Sequence, residues 1–410
     1  MVMYKKICLL GDKNQFIPFD YSQKADIALQ SMGLNSGNNV FGFALQKMTL
    51  TKTQCVDMVS LSHFFNFTAE INEKYDAILY SPANILAPWT KDTGLRYWIE
   101  ALRNITIPVY FVGVGSQSDK YYDLDFVKEF KDTGYTFVKL LLKTGGRIGL
   151  RGYFTAEVMK KLGFSEQDFE VVGCPSLFMN GPDLKINKKN LKKEELKPIF
   201  NGNHFWFNDK FHKLFGEYPH SVFICQDLFY RLLYDYDSLT DEDGKYLRAD
   251  LFEWLFQGHR VRLYCDYLAW YNDIAKENFN FCIGSRIHGN IVSLLAGIPS
   301  FVDSFDSRVR EMAEFFDIPY GDIGDESIDI YDLYQKISFY KFNATFAEKF
   351  ARFKSFMNEC GLPCFEDKKY IDKQVACLRF QSPRYRTDLT EIKAFTRKYW
   401  KFYYPDAGSL

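Results

Sequence analysis

The chain lacks a charge imbalance. Its 51 Lys and Arg residues stand against 52 Asp and Glu in 410 residues, so no global basic field exists to draw in nucleic acid. It also lacks any apolar run approaching the roughly 20 residues that a membrane-spanning helix needs. Met1–Leu10 is too short, and too soon followed by Gly11-Asp12, to read as a secretion signal. Metal-site spacing is missing as well: Cys360 and Cys364 enclose Gly-Leu-Pro, but no second Cys or His pair stands at zinc-finger distance. Nine cysteines in a chain this long do not suggest a disulfide scaffold. Cys8, Cys174, Cys225, Cys265 and Cys282 lie in or beside apolar runs, as reduced thiols do. These absences predict a soluble cytoplasmic protein with no metal and no bound cofactor.

Apolar residues are abundant, 47% against 25% charged, over a length beyond the roughly 250–300 residues that one core serves. Two domains are therefore expected. Short apolar runs alternate with helical stretches throughout. Strand candidates in the first half are Lys6–Leu10, Cys55–Leu61, Ala77–Tyr80, Pro108–Val112, Arg147–Leu150 and Phe169–Val172. His204–Phe207, Val222–Cys225, Val261–Cys265, Phe281–Ile283 and Ser300–Val302 follow in the second. Such alternation predicts α/β architecture with parallel, doubly wound sheets. Helices are expected at Asp92–Asn104, Tyr246–Phe256, Trp270–Phe279, Phe342–Met357 and Lys368–Leu378.

The expected division is an N-terminal Rossmann-like domain over 1–180, a Lys/Glu/Asn-rich linker over 181–202, a C-terminal Rossmann-like domain over 203–325 and a helical segment over 326–410. The Arg384–Tyr404 tail mixes cationic and aromatic residues. It reads as an amphipathic packing helix, with contact at the inner face of a membrane as the other reading.

The chain is organised around Phe281–Glu311. An apolar run stops at Gly284, and Ser285, Arg286 and His288 follow it. Ile291, Val292, Leu294 and Leu295 then fall at helical spacing, closed by Gly297 and Pro299. A second run, Phe301-Val302, leads into Asp306, Arg308, Arg310 and Glu311. Helix openings carry unpaired N–H groups and partial positive charge, so this strand–loop–helix repeat favours an anion at one sheet edge. Arg286 offers a planar fork for phosphate or carboxylate, and His288 a group able to exchange a proton near neutral pH. Taken anywhere else, such an Arg would pair with a carboxylate and such a His would cap a helix. At the mouth of a parallel strand, an anion site is the better reading.

Other strand ends carry polar residues. Asn38 and Asn39 close a Gly/Asn-rich loop that opens a helix, and Asn84, Gln117 and Arg151 end three successive strands. Each alone is accounted for by local backbone bonding; together they form a rim suited to sugar hydroxyls. Gln226, Asp227 and Asp266 end strands of the second half, the two carboxylates as acid/base groups or helix N-caps.

GSRIHGNIVSLLAGIPS followed by DSRVREMAEFF resembles the C-terminal motif of the polysaccharide pyruvyl transferase family. The succession Arg151-Gly152, Lys161-Leu162-Gly163 and Gly173-Cys174-Pro175-Ser176 resembles the end of that family's N-terminal domain. The resemblance spans residues 5–320. It implies two facing Rossmann-like domains on a GT-B-like scaffold, and transfer of a pyruvyl group from phosphoenolpyruvate to a sugar of a capsular polysaccharide or exopolysaccharide, or of its lipid-linked precursor. A cyclic ketal forms and phosphate leaves.

On that reading Arg286 and His288 are catalytic, and Gly284, Ser285, Gly289, Asn290, Arg308 and Arg310 hold the donor. Asn38, Asn39, Asn84, Gln117 and Arg151 face the acceptor. A nucleotide-sugar glycosyltransferase is the rival enzyme, and a catalytically silent carbohydrate- or anion-binding protein the rival of another class.

Overall fold

The computed structural model describes residues 4–11, 15, 16, 19, 32, 33, 35–118, 122–202, 209–226, 260–304, 306–323, 329–362, 364 and 365. Twelve strands form two six-stranded sheets within these residues. The first holds β1 Lys6–Leu10, β2 Cys55–Val59, β3 Ala77–Tyr80, β4 Val109–Val114, β5 Ile148–Leu150 and β6 Phe169–Val171, in the order β2-β1-β3-β4-β5-β6. In the second are β7 Pro198–Phe200, β8 Val222–Cys225, β9 Val261–Leu263, β10 Phe281–Gly284, β11 Ser300–Asp303 and β12 Tyr320–Gly321, ordered β12-β11-β10-β7-β8-β9. Every pairing is parallel. The central strands β4, β8, β10 and β11 are buried along their whole length, as continuous apolar runs covered by helices on both faces must be. The architecture is the expected α/β one, two halves each built on a parallel, doubly wound sheet.

The strand that opens the second sheet, Pro198–Phe200, lies inside the stretch read as linker, so the crossing ends by Lys197. An apolar triplet behind a lysine-rich run is too short to stand out. The strand expected at His204–Phe207, the helices at Tyr246–Phe256 and Lys368–Leu378, the Arg384–Tyr404 tail and Asp227 lie outside the described residues.

Five helices bear on the site: α1 Asn38–Met48, α2 Tyr153–Leu162, α3 Ile287–Leu295, α4 Ser307–Phe316 and α5 Tyr340–Glu359. The carboxyl ends of the two sheets face each other. Asn39 on α1 donates to the carbonyl of Cys265 beyond β9 at 2.8 Å. Ser36 N–H donates to the Gln226 carbonyl beyond β8 at 2.9 Å. Ser118 N–H, beyond β4, donates to the Ser307 hydroxyl opening α4 at 2.8 Å.

Helix α5 ties the halves together from behind. Its Phe346, Phe350 and Phe353 surround Phe178 at 5.6, 5.8 and 5.1 Å between ring centroids. Its Lys349 pairs with Asp317 at the end of α4, while Glu359 reaches Arg147 beside β5 at 2.6 Å. Buried aromatic packing of this kind supplies most of the adhesion; of the two ion pairs, Arg147–Glu359 is exposed, whereas Lys349–Asp317 is largely buried. No described helix is long and apolar enough to cross a membrane.

Candidate active site

In the second sheet the chain runs β7, β8, β9 in one direction and then returns to place β10 on the other side of β7. The winding therefore reverses between β7 and β10, and open α/β sheets leave a crevice outside the strand ends at such a point. Asn201 ends β7, Gln226 ends β8, and Gly284-Ser285-Arg286 ends β10. Gly284 is required here by close approach: a Cβ would lie 2.3 Å from the Asn201 carbonyl oxygen. Arg286 N–H then donates to that carbonyl at 3.0 Å, which turns the chain into α3 with Arg286 as its N-cap.

The helix opens two residues earlier than the Gly289-Asn290 pair expected to clamp an anion. Gly289 and Asn290 donate their N–H groups to the Arg286 carbonyl at 2.9 and 3.4 Å. The groups left to face a ligand belong to Ile287 and His288. Asn290 is sealed in the turn: its side-chain amide donates to the carbonyls of Gly284 at 2.9 Å and Arg286 at 3.3 Å. Ser285 is buried beside it.

Arg286, His288 and Arg308 lie together, each partly exposed. Burial, and after it repulsion from Arg308, pushes the Arg286 guanidinium down to about 10. The His288 imidazole is pushed down from 6.5 to about 3, first by burial and then by Arg151 and Arg308. It is therefore neutral in the ligand-free protein, not poised near pH 7 as its residue type alone suggests. Burial beside neighbouring guanidiniums of this kind suits a site that takes an anion. The imidazole packs 5.4 Å from the Phe41 ring of α1, and its Nε2 lies 3.9 Å from Cys174 Sγ.

Three of the residues predicted on the rim of the first sheet come together and reach across. Arg151 is buried and donates Nη1 to Asn84 Oδ1 at 2.9 Å and Nη2 to the Ala83 carbonyl at 2.8 Å. Asn84 Nδ2 donates to Gln117 Oε1 at 2.8 Å. Gln117 Nε2 donates to Asp306 Oδ2 at 3.3 Å, and Arg308 Nη2 stands 3.3 Å from the same oxygen. Asp306 caps α4 with its other oxygen, on Val309 N–H at 2.8 Å. A continuous polar chain thus runs from the first sheet to the anion cluster.

The remaining predicted residues are placed otherwise. Asn38 donates its amide to the carbonyls of Met32 and Gly33, holding its own loop, and Asn39 bridges the halves through Cys265. Arg310 points away from Arg308, bonding Glu314 at 2.6 Å between the rings of Tyr122 and Tyr320. Asp266 caps the helix after β9, donated to by Ala269 N–H at 2.7 Å. No group of three His, Cys, Asp or Glu side chains among the described residues could hold a metal ion.

Asn201, Cys174 and Glu311 were given no site role by sequence reasoning, and all three lie beside the site residues. Cys174 stood only within its Gly-Cys-Pro-Ser motif, and no local signal marks Asn201. Glu311 could have been found: it stands one turn beyond Arg308, on the same helical face.

A family model described as polysaccharide pyruvyl transferase matches residues 63–307. No curated protein matches the sequence. Among solved structures, the UDP-GlcNAc 2-epimerase of Methanocaldococcus jannaschii, in complex with UDP-GlcNAc and UDP, is 13% identical with a TM-score of 0.45, covering 87% of this chain and 99% of that one. The UDP-GlcNAc 2-epimerase of Neisseria meningitidis bound to UDP-GlcNAc is 12% identical with a TM-score of 0.43, covering 91% and 100%.

Proposed function

The chain belongs to the polysaccharide pyruvyl transferase family, and from that premise we propose that it transfers a pyruvyl group from phosphoenolpyruvate to a sugar of a surface polysaccharide or its lipid-linked precursor. The observation that carries this reading is the cluster at the opening of α3, where Arg308 lies close enough to act on both Arg286 and His288, and Arg151 acts on His288 from the other sheet. A compact, highly charged anion suits such a cluster, with Arg286 and Arg308 at its partly exposed face and Arg151 buried behind them.

The donor methylene carbon takes a proton as a sugar hydroxyl oxygen bonds the neighbouring carbon, and that hydroxyl gives up its own proton. A second hydroxyl oxygen then bonds the same carbon, the carbon–oxygen bond to phosphate breaks, and a cyclic ketal remains. Arg286 and the Ile287 and His288 N–H groups hold the phosphate through both steps. Preorganised electrostatic groups of this kind are often the largest catalytic contribution. Arg308, fixed by Asp306, takes the donor carboxylate. Neutral His288 accepts the proton of an attacking hydroxyl and passes it to the departing phosphate, a role commonly contributing about 10²–10⁴-fold. Bound phosphate would raise its basicity by offsetting the arginines. Asn84 and Gln117, both partly exposed in the polar chain, face the acceptor.

The test is phosphate release from phosphoenolpyruvate in the presence of a panel of diol-bearing glycans. Release that requires both donor and acceptor, with a product carrying an acid-labile ketal, supports the reading. Turnover of nucleotide sugars in its place rejects it in favour of a glycosyltransferase. Binding without any release leaves only a silent carbohydrate-binding protein.

A further inference from the structure

Gln226 ends β8 at the edge of the crevice, and it is 2% exposed. Its side-chain Nε2 has no hydrogen-bond partner among the described residues. An unpaired buried amide N–H sacrifices its hydration, a penalty comparable to a lost hydrogen bond. Two glycines show where the amide lies. A Cβ added to Gly289, in the first turn of α3, would lie 2.7 Å from Gln226 Nε2, and a Cβ added to Gly37 would lie 3.2 Å from Gln226 Oε1. That Gly37 Cβ would also lie 3.0 Å from His288 Cβ. The amide thus lies between the first turn of α3 and the Asn35–Gly37 loop of the first half, where a Cβ at Gly289 would press equally on Asn201 Cγ at 2.7 Å and one at Gly37 first on Asn35 Oδ1 at 2.8 Å.

The adjoining loop repeats the pattern. Ser36 bonds the Gln226 carbonyl through its N–H at 2.9 Å. Its hydroxyl is likewise buried with no partner among the described residues. Two residues with unsatisfied polar side chains are therefore joined through their backbones at the seam between the halves, beside the opening of a nine-residue helix.

We propose that Gln226 Nε2 donates to a phosphate oxygen of the donor, completing the phosphate subsite that Arg286 and the α3 opening begin. This rests on the phosphoenolpyruvate reading for the identity of the donor, but not for the presence of an anion. Phosphate is assigned over carboxylate because the amide lies against Gly289 in the first turn of α3, the helix whose opening N–H groups at Ile287 and His288 hold the phosphate. The carboxylate partner, Arg308, belongs to the neighbouring helix α4.

Calorimetry with three probes separates the outcomes: phosphoenolpyruvate, inorganic phosphate and pyruvate. Gln226→Met removes the donor at similar volume, and Gln226→Glu places a like charge against the anion. Both variants should keep the ligand-free melting temperature of the wild type. Gln226→Met should weaken phosphoenolpyruvate and inorganic phosphate by about 10-fold or more, the usual loss for a hydrogen bond to a charged group. Gln226→Glu should weaken both further, and neither should alter pyruvate. Weakened phosphoenolpyruvate with unchanged phosphate would overturn the phosphate assignment. Unchanged affinity for all three probes, while Arg286→Ala loses binding, would overturn the role of Gln226 and leave the proposed function standing. If wild type binds UDP-sugars and not phosphoenolpyruvate, and the variants weaken that binding, the donor reading fails and the Gln226 anion contact survives. Binding of no probe at all contradicts both. Should Gln226→Met fold poorly, Gln226→Leu, which also lacks the donor at comparable size, must reproduce the affinity loss.

Discussion

Glu311 of α4 accepts the backbone N–H of Thr155 at 2.9 Å and its hydroxyl at 2.8 Å, so a helix of the second half caps α2 of the first. The carboxyl is 1% exposed. Burial raises it from 4.5 to about 7, against the lowering influence of Arg151 and the Thr155 hydrogen bonds. The seam between the halves is thus held by a group that titrates near neutrality.

That relationship sets the pH dependence of stability. Between pH 4.5 and 7 the folded chain holds a proton at Glu311 that the unfolded chain has released. Its contribution is therefore full below pH 4.5 and is lost as pH rises through about 7. Glu311→Gln cannot ionise and keeps an acceptor for Thr155. The melting temperature of the variant relative to wild type should climb from pH 5 to pH 8. Parallel profiles over that interval would show that Glu311 is ionised throughout.

Arg308 and Arg310 are two residues apart and face different surroundings. Arg308 joins Asp306 in the cleft, whereas Arg310 joins Glu314 and two tyrosines at the surface. Arg308→Ala should weaken phosphoenolpyruvate by about 10–100-fold, the usual range for a charge-assisted contact. Arg310→Ala should leave affinity and turnover close to wild type. Equal losses in both variants would place the donor elsewhere.

The contrast between these two arginines shows how far the sequence was legible. Arg286, His288 and Arg308 stand out because a strand stop, a helix start and a second strand–helix unit are all local patterns, and the topology brings their edges together. The same patterns cannot say which way a side chain turns, and Arg310 was read with Arg308 for that reason. Asn39 and Asn290 fit a ligand site by residue type, yet both are occupied by carbonyls that only the folded chain supplies, at Cys265 and Gly284. Gln226 was noticed at its strand end, but its amide gains meaning only from Gly37 and Gly289, which are distant in sequence. The depressed His288 could not be foreseen either, because the Arg151 that helps depress it belongs to the other sheet.

His288→Gln should lower turnover by about 10²–10⁴-fold while phosphoenolpyruvate affinity changes little, since its role is proton exchange. Steady-state kinetics beside calorimetry reads both quantities. A rise in dissociation constant with unchanged turnover would make His288 a binding residue only.

Turnover should survive exhaustive chelation and dialysis. The guanidiniums already supply the positive charge that a divalent ion would bring to a transferred phosphate group. Loss of activity restored by added magnesium or manganese would assign that charge to a metal.

The most direct measurement is titration calorimetry of phosphoenolpyruvate into wild-type protein and the Arg286→Ala variant, with UDP-sugars as the competing ligands. Saturable binding of phosphoenolpyruvate, lost in the variant and not displaced by UDP-sugars, is the predicted result. Binding that persists without the Arg286 guanidinium, or a wild-type protein that takes UDP-sugars and ignores phosphoenolpyruvate, would contradict the account.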